Sequence, residues 1–188
     1  MSLYKVNLAK DKTSLAIMAK EVIRDQIVNS LSKKKQCNIA LAGGSTPAAT
    51  YKLLSREKLE WKNVNVFLGD ERWVSPSSEM SNTFMIRKTL LSNSPGNQAN
   101  FFSIPTTDCQ SPEESAKVLH EKINKISLGS VPVFDLIVLG LGDDGHTASL
   151  FPWTNATSID TSWAISTKGG GIDRISLTVP VLSAVDVS

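Results

Sequence analysis

Residues 37–47 read CNIALAGGSTP: a short apolar run, a break at Gly43 and Gly44, then Ser45, Thr46 and Pro47. An unbroken apolar run suits a strand buried on both faces, and a hydroxyl residue at the cap with proline just inside suits the start of a helix. The stretch therefore reads as strand, glycine turn and helix, the helix continuing through Tyr51 and Leu54.

The same grammar extends in both directions. Upstream, residues 4–8 alternate like an edge strand, and Leu15, Met18, Ala19, Val22, Ile23, Ile27 and Leu31 recur at helical spacing behind Asp11 or Thr13 as cap. Downstream, Val64 to Leu68 (VNVFL) forms a strand that ends in Gly69, Asp70, Glu71, Arg72 and Trp73. Ser81 and Asn82 open a helix bearing Phe84, Ile86, Leu90 and Leu91, and Phe101 to Ile104 is a short strand. Ser111, Pro112, Glu113 and Glu114 form a capping box before a helix with Ala116, Leu119 and Ile123 on one face. Phe134 to Leu139 (FDLIVL) is a further strand leading into Gly140 to Pro152 (GLGDDGHTASLFP), and Trp163 to Ser166 and Arg174 to Val179 are two more. Alternating strands and helices predict an α/β fold: a largely parallel, Rossmann-like open sheet with helices on both faces.

Composition bounds the rest. With 188 residues and 41% hydrophobic content the chain is long enough for one good core, and residues 1–188 read as a single domain. The net charge of +2 is small and its carriers are interspersed, which argues against nucleic acid as a partner. The run Lys33 to Lys35 reads as the solvated, dipole-favoured end of a helix. Cys37 and Cys109 belong to no metal-binding pattern and suggest two free thiols in a reducing compartment. No stretch approaches the roughly 20 apolar residues of a membrane helix, so the expected protein is cytoplasmic, and a monomer or weak homodimer.

Parallel strands place their carboxyl ends on one edge, so Gly43–Pro47, Gly69–Trp73 and Gly140–Pro152 can share a crevice. Gly43, Gly44, Ser45 and Thr46 offer backbone amides and hydroxyls at a helix start, which suits phosphate as well as it suits an ordinary capped turn. Asp70 and Arg72 read either as a surface ion pair or as site residues. His146, in a glycine-rich turn two positions after Asp144, is placed for general acid/base work, with Asp144 there to orient the ring or hold its charge. His120, amid Lys117, Glu121 and Lys122, reads as a surface residue. Gly140, Gly142 and Gly145 also spell a dinucleotide fingerprint, but Asp143 and Asp144 put carboxylates where a diphosphate would lie, and Pro152 leaves no room for the helix.

Together GGSTP at 43–47, GDERW at 69–73 with Ser81 and Asn82 after it, and GxGxDGHTASLFP at 140–152 resemble the 6-phosphogluconolactonases. That family belongs to a wider group with the glucosamine-6-phosphate deaminases and ribose-5-phosphate isomerase-like proteins. The deaminases share GxGxDGH but continue to FNEP, whereas this chain continues Ser149, Leu150, Phe151, Pro152. The resemblance thus implies hydrolysis of 6-phosphogluconolactone, with glucosamine-6-phosphate deamination or non-catalytic sugar-phosphate binding as alternatives. It implies His146 as general acid/base with Asp144, and Gly43, Gly44, Ser45, Asp70, Arg72, Lys168 and Arg174 as substrate and phosphate contacts, with Arg87 as a further candidate. It implies neither metal nor organic cofactor. The family's chains continue past residue 188, so the resemblance also implies a domain short of its C-terminal part.

Overall fold

The computed structural model describes residues 4–127, 131, 132 and 134–184. Its centre is a four-stranded parallel sheet of β1 (Cys37–Leu41), β2 (Val64–Leu68), β4 (Asn100–Phe102) and β5 (Leu136–Ile137), in the order β4-β2-β1-β5. The chain steps outward from β1 to β2 to β4 and then returns to the other side of β1. The carboxyl ends of β1 and β5 therefore flank a topological switch point, where open α/β sheets form their ligand crevice.

Each strand follows from its residues. Val64, Val66 and Leu68 are fully or almost fully buried, as are Ile39 and Leu41, so a one-residue slip would move a whole apolar set. An amide ladder fixes the same register: Asn38, Asn65 and Asn100 are direct partners across β1, β2 and β4, and Asn65 Nδ2 donates to Asn38 Oδ1 at 2.8 Å. Asn100 Nδ2 donates to Asn65 Oδ1 at 3.1 Å.

Helices α1 (Lys12–Lys33), α2 (Ser45–Leu54), α3 (Asn82–Lys88), α4 (Pro112–Ser127) and α5 (Val179–Ser183) punctuate the strands. Asp11 caps α1 by accepting from Ser14 N at 2.7 Å, and Ser81 caps α3 by accepting from Phe84 N at 3.2 Å. The cap of α2 departs from expectation. It is Gly44, at φ +110°, with no side-chain cap bond, because Ser45 already lies inside the helix. The first amides of α2 thus receive no side-chain cap from their own N-cap residue, at the carboxyl edge of the sheet.

A second sheet was not legible as such. β3 (Asp70–Arg72), β6 (Ala164–Gly169) and β7 (Ile172–Leu177) form an antiparallel sheet in the order β3-β7-β6. The two late strands are a hairpin turned by Gly170 and Gly171, both at positive φ, and not additions to the parallel sheet. Gly69 joins the sheets: its N–H donates to Leu41 O at 3.0 Å, and its carbonyl accepts from Leu177 N at 2.9 Å.

Three further expectations are corrected. Residues 4–8 form no strand, and Tyr4, Val6 and Leu8 are exposed; the stretch belongs to neither of the described sheets, and alternation by itself makes no ladder. The lysine run is not wholly solvated, since Lys34 Nζ lies 2.6 Å from Oδ1 of the buried Asp135. His120 is half-buried, because β6 packs on α4: its Nδ1 accepts from Trp163 N at 3.0 Å, and its ring stacks on Trp163. The last helix, α5, follows β7 directly, and residues 185–188 lie outside those described.

Candidate active site

At the switch point a crevice of about 180 Å³ is lined by residues that include Gly43, Asp70, Arg72, Asn82, Gly142, His146 and Arg174. Three strand ends deliver five of these, as the glycine-rich segments suggest, while Asn82 comes from α3 and Arg174 from β7. Gly43 follows β1, Asp70 and Arg72 follow β2, and Gly142 and His146 follow β5.

His146 sits in a tight turn. Gly142 N donates to His146 O at 2.8 Å and Gly145 N, at φ +84°, donates to Gly142 O at 2.9 Å. This folds the ring back so that Nδ1 hydrogen-bonds Asp144 Oδ1, which also accepts from the His146 backbone N–H at 3.2 Å. The imidazole bond is the main reason that the Asp144 carboxyl lies below its ordinary range. With Nδ1 committed to a carboxylate, Nε2 is the nitrogen left to exchange a proton. On its other side the imidazole rests on Phe151, ring centroids 4.6 Å apart. No helix follows the turn before the 3-10 turn at Asn155–Ser158, in keeping with rejection of the dinucleotide reading.

The opposite wall is cationic. Arg174 is largely buried; its Nε donates to Gly169 O at 3.1 Å, and its guanidinium stands 5.4 Å from the Phe151 ring centroid. Burial, then the neighbouring Arg72, lowers its pKa, against the pull of Asp70 and Glu71. Asp70 stands 3.8 Å from Arg174 Nη1 and accepts from Ser149 Oγ. This last bond ties the histidine segment to β3.

Not every candidate reaches this crevice. Ser45 and Gly44 line an adjoining, more apolar hollow that shares Gly43 and Gly140 with it. Lys168 is exposed and pairs across the hairpin with Asp173 at 3.7 Å. It alternates with Thr167, the register partner of Arg174, so the pleat turns it to the opposite face. Arg87 is exposed on α3 and lies outside the lining.

Two residues of the site escaped sequence reasoning. Glu71 is fully buried and takes four donors: Arg72 N at 2.8 Å, Asn82 N at 2.8 Å, Thr83 N at 2.7 Å and Ser81 Oγ at 3.0 Å. It clamps the start of α3 beneath the crevice. The signal was an acid between two strand residues, with a hydroxyl-rich helix start ten positions on. Asn82, the other, reaches both Asp70 and Arg72.

A histidine–carboxylate pair facing two guanidinium groups at the carboxyl edge of a Rossmann-like sheet is a layout suited to an α/β enzyme acting on a small anionic substrate. The profile of the glucosamine-6-phosphate isomerases/6-phosphogluconolactonase family matches residues 10–186, and the chain belongs to that family. It is 35% identical over 182 residues to a 6-phosphogluconolactonase of Synechocystis, covering 95% of this chain and 75% of that one. A Nostoc relative of the same name is 34% identical over 183 residues, with the same coverage. Among solved structures, a 6-phosphogluconolactonase from Shewanella baltica superposes with a TM-score of 0.85 at 27% identity, over 94% of this chain and 76% of that one. One from Trypanosoma cruzi gives 0.84 at 29%, over 98% and 79%.

Proposed function

We propose that this chain hydrolyses 6-phospho-D-glucono-1,5-lactone to 6-phosphogluconate, a step of the oxidative pentose phosphate pathway. The observation that carries the reading is the His146–Asp144 pair facing Arg72 and Arg174 across one crevice. The names of the relatives support it.

In this scheme Asp144 holds the imidazole with its Nδ1 proton inward. His146 Nε2 removes a proton from water as the water oxygen attacks the lactone carbonyl carbon. The resulting oxyanion is met by backbone amides of the glycine turns. As the intermediate collapses, the bond from that carbon to the ring oxygen breaks and the imidazolium returns its proton to the leaving oxygen. The new carboxylic acid then ionises. Arg72 and Arg174 hold the phosphate, guanidinium geometry suiting its oxygens, and the uncapped amides of α2 at Gly44 and Ser45 add donors at its edge. Lys168 joins only through a movement of the hairpin.

Phe151 favours hydrolysis over deamination: a buried ring, not a carboxylate, packs beside His146. Among the described residues no helix is long and apolar enough to cross a membrane. Together with the separated thiols, this is compatible with a cytoplasmic enzyme.

The test follows 6-phosphogluconate formation from fresh lactone against spontaneous hydrolysis, for the wild type and for His146→Ala. Wild-type acceleration that vanishes in the variant is expected. A wild type that binds 6-phosphogluconate but only matches the background makes the chain a binding protein. Ammonia release from glucosamine 6-phosphate makes it a deaminase.

A further inference from the structure

Asn82 opens α3 and lines the crevice, yet is only 2% exposed. Its amide nitrogen donates to the Asp70 carbonyl at 2.9 Å and to Asp70 Oδ1 at 3.2 Å. Its amide oxygen accepts from Arg72 Nη1 at 3.0 Å, and that same nitrogen donates to Met80 O at 2.8 Å. One edge of the guanidinium is therefore pinned, while its Nε is buried with no hydrogen-bond partner among the described residues. A bare buried donor is costly, and an arriving acceptor relieves the cost.

Gly43 completes the arrangement. A Cβ there would stand 1.9 Å from Asn82 Oδ1. The amide is buried and held by three hydrogen bonds, so it cannot retreat without breaking them. Only a side chain that offers a donor and an acceptor from one planar group serves both Asp70 and Arg72.

We infer that Asn82 is a positioning residue: it sets the Arg72 guanidinium for the substrate's phosphate while steadying Asp70, and so governs affinity for the phosphoryl group and not the chemical step. This rests on the lactonase reading and on Arg72 as a phosphate contact.

The experiment uses Asn82→Ala and the nearly isosteric Asn82→Asp, assayed on 6-phosphogluconolactone and on glucono-1,5-lactone without phosphate. Calorimetry of 6-phosphogluconate and gluconate binding runs in parallel. In Asn82→Ala, kcat/KM for the phosphorylated lactone falls about tenfold further than kcat/KM for the plain lactone, the difference lying in KM and not in kcat. Asn82→Asp is worse, since its carboxylate opposes Asp70 and competes with phosphate for Arg72. Equal losses on both lactones, or an unmoved KM on the phosphorylated one, overturn the inference. If the wild type fails to outpace spontaneous hydrolysis, the lactonase reading falls. Calorimetry still decides for Asn82: about tenfold weaker 6-phosphogluconate binding with gluconate unaffected supports it, and unchanged binding refutes it.

Discussion

Gly142 and His146 compete for one volume: a Cβ on the glycine would stand 2.3 Å from both Cε1 and Nδ1 of the imidazole and 2.7 Å from Asp144 Oδ1. The Gly142→Ala variant must move the ring, not the backbone. We expect kcat to fall at least about tenfold, since misplacing a catalytic group by an ångström is costly. The denaturation midpoint should barely change, and a normal kcat would show that the turn has room to spare.

Asp144 carries the next prediction. Its pKa is depressed in the folded chain, chiefly by the His146 hydrogen bond, so the pairing is fully present above the ordinary carboxylate range. It is lost as pH falls through the lowered value. At neutral pH, Asp144→Asn should cut kcat by about a hundredfold or more by favouring the wrong imidazole tautomer, with KM little affected. Steady-state kinetics on both proteins check this.

Glu71 makes a prediction about stability. Glu71→Gln turns an NH₂ group toward N–H and O–H donors in a fully buried site. A loss of about 3 kcal/mol is expected in urea unfolding, the range for breaking a buried charged network.

Phe151 underlies both walls of the crevice, touching His146 and Arg174, and leaves space only for a glycine at 169, where a Cβ would approach the ring to 2.1 Å. Phe151→Ala should cost about 3–5 kcal/mol through cavity formation. Gly169→Ala should perturb activity by displacing the same ring. Thermal unfolding and kcat/KM on the two variants separate these effects.

The thiols should differ. Cys37 is fully buried and desolvation raises its pKa to about 11, whereas Cys109 is partly exposed. A thiol reagent at mildly alkaline pH should titrate one cysteine quickly in the native protein and the second only on unfolding.

Local grammar made much of this fold legible. The strands Cys37–Leu41 and Val64–Leu68, the Asp11 and Ser81 caps and the convergence of three strand ends on one edge all rest on short-range rules. What escaped depends on distant partners. Asp70–Arg72 becomes a strand only because Ile172–Leu177 pairs with it about a hundred residues later, and Lys168 turns away from the crevice because of that hairpin's register. His120 looked superficial among charged neighbours, but the strand that lies on it comes from elsewhere in the chain. Glu71 was hidden because a buried acid is recognisable only once its four donors are in place.

Gly69 gives its N–H to one sheet and its carbonyl to the other, so Asp70 and Arg72 inherit their position from two rigid ladders. The crevice is in effect a masonry corner, its angle set where two walls share a stone. Surface loops elsewhere can then lengthen, shorten or drift in composition without opening that angle, whereas a proline at this single position would remove the N–H that holds Leu41 and let the walls part.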